Sequence, residues 1–122
     1  MTVYVPPGWP ESVRPPGSED WEQTASEFLL DCCPADFRRY SVLRRHPVVL
    51  ARFAAQFVEG QLGSARAGLA GARVSLSEYV GPAVLESASE AWLEQAAQLA
   101  RTRRAVGLVE QALRGTHFVP RL

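Results

Sequence analysis

The chain has 122 residues, enough for one domain around one core. Thirteen basic and thirteen acidic residues cancel to zero formal charge. That argues against a protein that coats nucleic acid or anionic membrane through bulk charge. No apolar run approaches the ~20 residues of a membrane span, and the first residues lack the basic and apolar regions of a secretory leader.

All thirteen basic residues are arginine, and lysine, isoleucine and asparagine are missing altogether. With alanine, glycine and proline abundant, this is the composition of GC-rich coding. Arginine is therefore not read as chosen over lysine for its bidentate chemistry.

Residues 1–17 are a proline-rich arm carrying Pro6, Pro7, Pro10, Pro15 and Pro16. Proline fixes φ and removes a donor, so extended or polyproline-like backbone is expected. The arm contains an internal echo, Val5-Pro6-Pro7-Gly8-Trp9 against Arg14-Pro15-Pro16-Gly17. Pro7 and Pro10 have the PxxP spacing that proline-reading domains bind. Tyr4 and Trp9 beside the prolines favour an arm packed over helices.

A first helix is expected over about 18–33. Ser18 suits an N-cap, and Glu19, Asp20 and Glu22 suit the positive helix start. Trp21, Ala25, Phe28, Leu29 and Cys32 share one face, and Pro34 ends the helix. Adjacent Cys32 and Cys33 seldom bond to each other and lack metal-ligand spacing. Reduced structural cysteines and a cytoplasmic setting follow.

Next comes a basic segment holding Arg38, Arg39, Arg44 and Arg45, with Tyr40, Ser41 and His46 among them. It has the residues to hold a phosphate or an RNA backbone, with Tyr40 to stack. Ser41 stands in a basic setting that kinases use. The plainer reading is a connection whose arginines pair with the acidic first helix.

A second helix is expected over about 47–73, opened by Pro47 at its first turn. Val48, Ala51, Ala55, Val58, Leu62, Ala65, Leu69 and Ala72 repeat at alternating spacings of three and four, a heptad-like seam. Gly60, Gly63, Gly68 and Gly71 each cost about 1 kcal/mol relative to alanine, so a break near Gly60–Gly63 is the weak point. The other side carries Val49, Phe53 and Phe57, then Gly60, Ser64, Ala67, Gly68 and Gly71. A helix small or apolar on two sides is central in a bundle or lies in an interface. Val49, Phe53, Gly60, Ser64, Ala67, Gly68 and Gly71 are thus the candidate contact strip for a second copy or another protein.

Pro82 starts a third helix, expected over about 82–114 and closed by Gly115. Its seam is Leu85, Ala88, Trp92, Ala96, Leu99, Val106 and Leu113. Glu86, Glu90 and Glu94 near its start should lie beside Arg66 and Arg73 of an antiparallel second helix. Arg103 and Glu110 fall near the seam and form a candidate buried polar pair, with Glu27, Asp31 or Glu59 as partners for them. A pocket there, near Trp92 and Leu99, could take a small acid.

No Walker loop, dinucleotide fingerprint or Glu-x-x-His motif occurs. The only histidines, His46 and His117, stand apart from the cysteines, so no catalytic residue, metal or cofactor is expected.

Pro-Gly-Trp-Pro at 7–10, Leu29-Leu30-Asp31-Cys32-Cys33-Pro34, Leu43-Arg44-Arg45-His46-Pro47 and Arg103-Arg104-Ala105-Val106-Gly107-Leu108-Val109-Glu110 span most of the chain. In these it resembles small uncharacterised helical proteins of high-GC actinobacteria. The resemblance implies a cytoplasmic setting and supplies no activity.

The expectation is an all-α bundle: a long antiparallel helical hairpin, a shorter N-terminal helix and the arm. Its function class is a non-enzymatic interaction or assembly protein. The alternatives are a nucleic-acid or phosphate-binding accessory factor using Arg38–Arg45, and a small-ligand or enzymatic domain using Arg103 and Glu110.

Overall fold

The computed structural model describes residues 3–121. Residues 1 and 2 of the expected arm, and residue 122, lie outside that range. The order of elements is α1 (Trp21–Asp31), a 3₁₀ turn (Ala35–Arg39), α2 (Ser41–Arg45), α3 (Pro47–Leu76) and α4 (Pro82–Leu113). No strand occurs among the described residues, and none of their helices is long and apolar enough to cross a membrane.

α3 and α4 are the expected hairpin. At 1.5 Å per residue they run ~45 and ~48 Å. Pro47 and Pro82 each open a helix, where a missing N–H costs nothing. α4 ends as the glycine implied. Gly115 takes φ +98°, its N–H donates to Ala112 O, and Thr116 N–H donates to Gln111 O. This is a Schellman closure.

α3 continues through Gly60 and Gly63 without a break. The glycine penalty is offset by the seam: Ala51, Ala55, Val58, Leu62, Ala65 and Ala72 are all buried.

α1 begins three residues later than expected, and Ser18 does not cap it. Ser18 N–H donates to Pro15 O, and Trp21 N–H donates to Ser18 O. Both groups close turns, so the helix starts only at Trp21.

The arm also departs from simple extended backbone. Trp9 N–H donates to Pro6 O, and Ser18 N–H to Pro15 O. Gly8 and Gly17, each following a proline pair, take φ +95° and +91°. The internal echo is thus two Pro-Pro-Gly turns of type II pattern, where the third residue needs positive φ. They fold the arm over the second half of α4. Val13 is buried, Trp9 meets Phe118 edge to face at 5.9 Å, and Arg104 donates to Pro7 O at 3.0 Å.

The main core lies at this end. Leu29 of α1, Leu43 of α2, Leu50 of α3, and Val106 and Val109 of α4 are fully buried together. Further along the hairpin a second cluster forms from α3 and α4 alone: Leu62, Ala65 and Ala96, with Trp92, Leu99 and Ala100 against them. The molecule is therefore layered at one end and a bare two-helix projection at the other.

Candidate functional site

Among the described residues, Glu110 is the one buried charged residue, at 8 % exposure. Arg52 holds it with two hydrogen bonds, Nε to Oε2 at 2.6 Å and Nη2 to Oε1 at 2.8 Å. Arg114, capping the end of α4 four residues on, adds a third at 3.2 Å. Burial pushes the carboxyl up, but the bonds from Arg52 and Arg114 outweigh it and hold it below the ordinary glutamate value. The Arg52 guanidinium is raised in turn, chiefly by its hydrogen bond to Glu110.

The expected Arg103–Glu110 pair does not exist. Arg103 stands seven residues earlier on the same seam and bonds to Glu59 of α3 at 3.3 Å, at a partly exposed site. Glu59 was among the expected partners, whereas Arg52 was not. The fork of Arg52 across the hairpin, with Arg114, bonds both oxygens of Glu110. The shallow hollow at Arg103 is lined by Ala100, Arg104, Gly107, Leu108 and Gln111 instead, away from Trp92.

The basic segment divides in two. Arg38 bonds to Asp31 of α1 at 2.7 Å. Arg39 lies 3.4 Å from Asp36, with its guanidinium over the Tyr40 ring. Arg44 and Arg45 are exposed at the end of α2 and have no ion-pair partner among the described residues. The acidic first helix therefore takes up Arg38 but not the later pair.

The small-residue strip of α3 is not one continuous outer face. Val49 packs half-buried on the main core, and Phe53 meets Phe37 edge to face at 6.0 Å. Gly60, Ser64 and Ala67 are exposed and Gly71 is half-exposed. Gly68 is covered within the chain. A Cβ there would stand 2.5 Å from Trp92 Nε1, so the glycine admits the indole between the two helices.

Exposed large apolar side chains occur on the arm (Val3, Tyr4), at and beside α2 (Tyr40, Val42), at Phe53 of the strip, in the tail (Val119) and at the projecting end of the hairpin. Val74 is 90 % exposed, Tyr79 77 %, Leu93 60 % and Val84 56 %. A groove of about 930 Å³ opens beside the turn, floored by Leu69, Val80 and Leu85, with Arg73 and Glu86 on its rim. Val74, Tyr79, Val84 and Leu93 were missed in the sequence because they fall off the seams, whereas Leu69 and Leu85 lie on them. Leu93 directly follows the seam residue Trp92, and that adjacency of two large apolar residues was the available signal.

The expected ion pairs between Arg66 or Arg73 and the acidic start of α4 do not form. None of Arg66, Arg73, Glu86 or Glu90 has an ion-pair partner among the described residues.

Burial raises the Cys32 thiol to about 11, helped by Cys33 and Asp31, and raises Cys33 too, against a lowering by Arg38. Both are free thiols held in the unreactive form. Among the described residues no cluster of His, Cys, Asp or Glu is placed to hold a metal ion.

By fold, the protein is an all-helical bundle with a projecting hairpin. Comparison with protein-family models, with curated proteins and with solved structures finds no match for this chain.

Proposed function

We propose that the protein is a non-enzymatic helical interaction or assembly protein, and that its contact surface is the projecting half of the α3–α4 hairpin. The observation that carries this is the exposure of Val74, Tyr79, Val84 and Leu93 on a part of the molecule where only two helices pack together. Exposed apolar side chains scattered singly need no explanation, but on a two-helix projection they are surface that further helices can cover. Two helices alone bury only one stripe each, and a third or fourth helix completes such a layer.

The test is a pull-down with the tagged chain at physiological salt, run beside a Val84→Arg/Leu93→Arg variant of matching far-UV circular dichroism. Bound chains, including untagged copies of the protein, should be recovered by the wild type and lost by the variant. Equal recovery by both sinks the reading.

A second reading rests on Arg44 and Arg45, exposed and without an ion-pair partner among the described residues, a few positions after the exposed Tyr40. It makes α2 a small anion or nucleic-acid contact. A gel shift of single-stranded RNA at low salt, abolished by Arg44→Ser/Arg45→Ser, is its expected result. No shift at low salt ends it.

A further inference from the structure

Building on the interaction reading, we infer that the partner of the projecting hairpin half is a second copy of this chain, docked face to face with the two turns at the same end. The argument starts from four charges that fail to meet within one molecule. Arg73 and Glu86 border the same groove without pairing, and Arg66 and Glu90 are likewise without partners among the described residues. All four are exposed.

Their spacing from the turn matches. At 1.5 Å per residue, Arg73 lies ~4.5 Å back from the end of α3, and Glu86 lies ~6 Å into α4. Arg66 lies ~15 Å back, and Glu90 ~12 Å in. Arg66 and Arg73 are seven residues apart and share a ridge of α3. Glu86 and Leu93, also seven apart, share a ridge of α4, with Glu90 beside it.

A two-fold axis parallel to the helices lays α3 of one copy over α4 of the other, running antiparallel. Each Arg73 then faces a Glu86 and each Arg66 a Glu90, twice over by symmetry. Leu93, ~16.5 Å into α4, enters the space between the copies just beyond the groove floored by Leu69 and Leu85. The result is a four-helix layer in which surface left bare in one copy is covered by the other. An isologous interface requires such self-complementarity, and both charge and apolar surface supply it.

The experiment is light scattering from about 1 µM to about 500 µM, with three chains. The wild type should pass from monomer to dimer in this range. Arg66→Glu/Arg73→Glu and Glu86→Arg/Glu90→Arg should each remain monomeric, because each places like charges together. An equimolar mixture of the two should dimerise at least tenfold more tightly than either alone, since the reversed charges again face opposites.

Restored dimerisation in the mixture also shows that both variants are folded. A wild type that stays monomeric throughout overturns the inference, as does a mixture no tighter than its components. If the wild type is monomeric while the pull-down above still loses a different protein on Val84→Arg/Leu93→Arg, self-association falls and the interaction reading stands.

Discussion

Glu110 shows how one residue fixes the register of the hairpin. Its two oxygens are matched to the two nitrogens of Arg52 across the α3–α4 interface, so sliding either helix by a turn would strand a buried carboxylate. Because its folded value lies below its unfolded one, the ionised pair stabilises the protein above the ordinary glutamate value of ~4.3. That contribution is lost as pH falls through the folded value. Glu110→Gln should therefore cost about 1–2 kcal/mol at pH 7, with the gap to wild type closing below about pH 4. Chemical denaturation of both proteins across that range measures it. A gap independent of pH would mean the carboxylate is not what Arg52 recognises.

At the scale of an element, α3 separates two kinds of glycine. A Cβ at Gly60 or Gly63 would meet nothing, so alanine there gains helix propensity without a clash. Each substitution should stabilise by about 0.5–1 kcal/mol. Gly68→Ala should instead destabilise, because its methyl collides with the Trp92 indole. Thermal melts of the three variants give the signs directly.

α1, α3 and α4 were legible because their apolar residues recur at helical spacing and prolines mark two of the starts. Ala51, Ala55, Val58, Leu62 and Ala65 announced their burial in this way. The turns of the arm were less legible, since Pro-Pro-Gly fits extended backbone as readily as a type II turn. Nor could periodicity find the Arg52–Glu110 bond, because which of two helix faces a long arginine reaches over depends on tertiary packing. The candidate strip on α3 was read from one helix alone. Trp92, which covers Gly68, comes from another helix 24 positions along the chain.

At the scale of the whole molecule, order should decline along the hairpin. The end where α1, α2 and the arm join α3 and α4 holds the largest fully buried side chains among the described residues: Leu29, Leu43, Leu50, Val106 and Val109. The other end depends on Leu62, Leu99 and Trp92 among alanines. Hydrogen exchange on the dilute chain should show amides of 64–98 opening well before those of 50–58 and 104–112. Uniform protection along α3 would contradict this gradient.

The placing of the three tryptophans gives the molecule a built-in optical reporter. Trp9 and Trp21 pack on the main core, while Trp92 sits alone on the projecting half against Gly68. A Trp9→Phe/Trp21→Phe chain would thus have tryptophan emission only from the projecting half of the hairpin. That signal would follow fraying, or the arrival of a partner, without a tryptophan contribution from the main core.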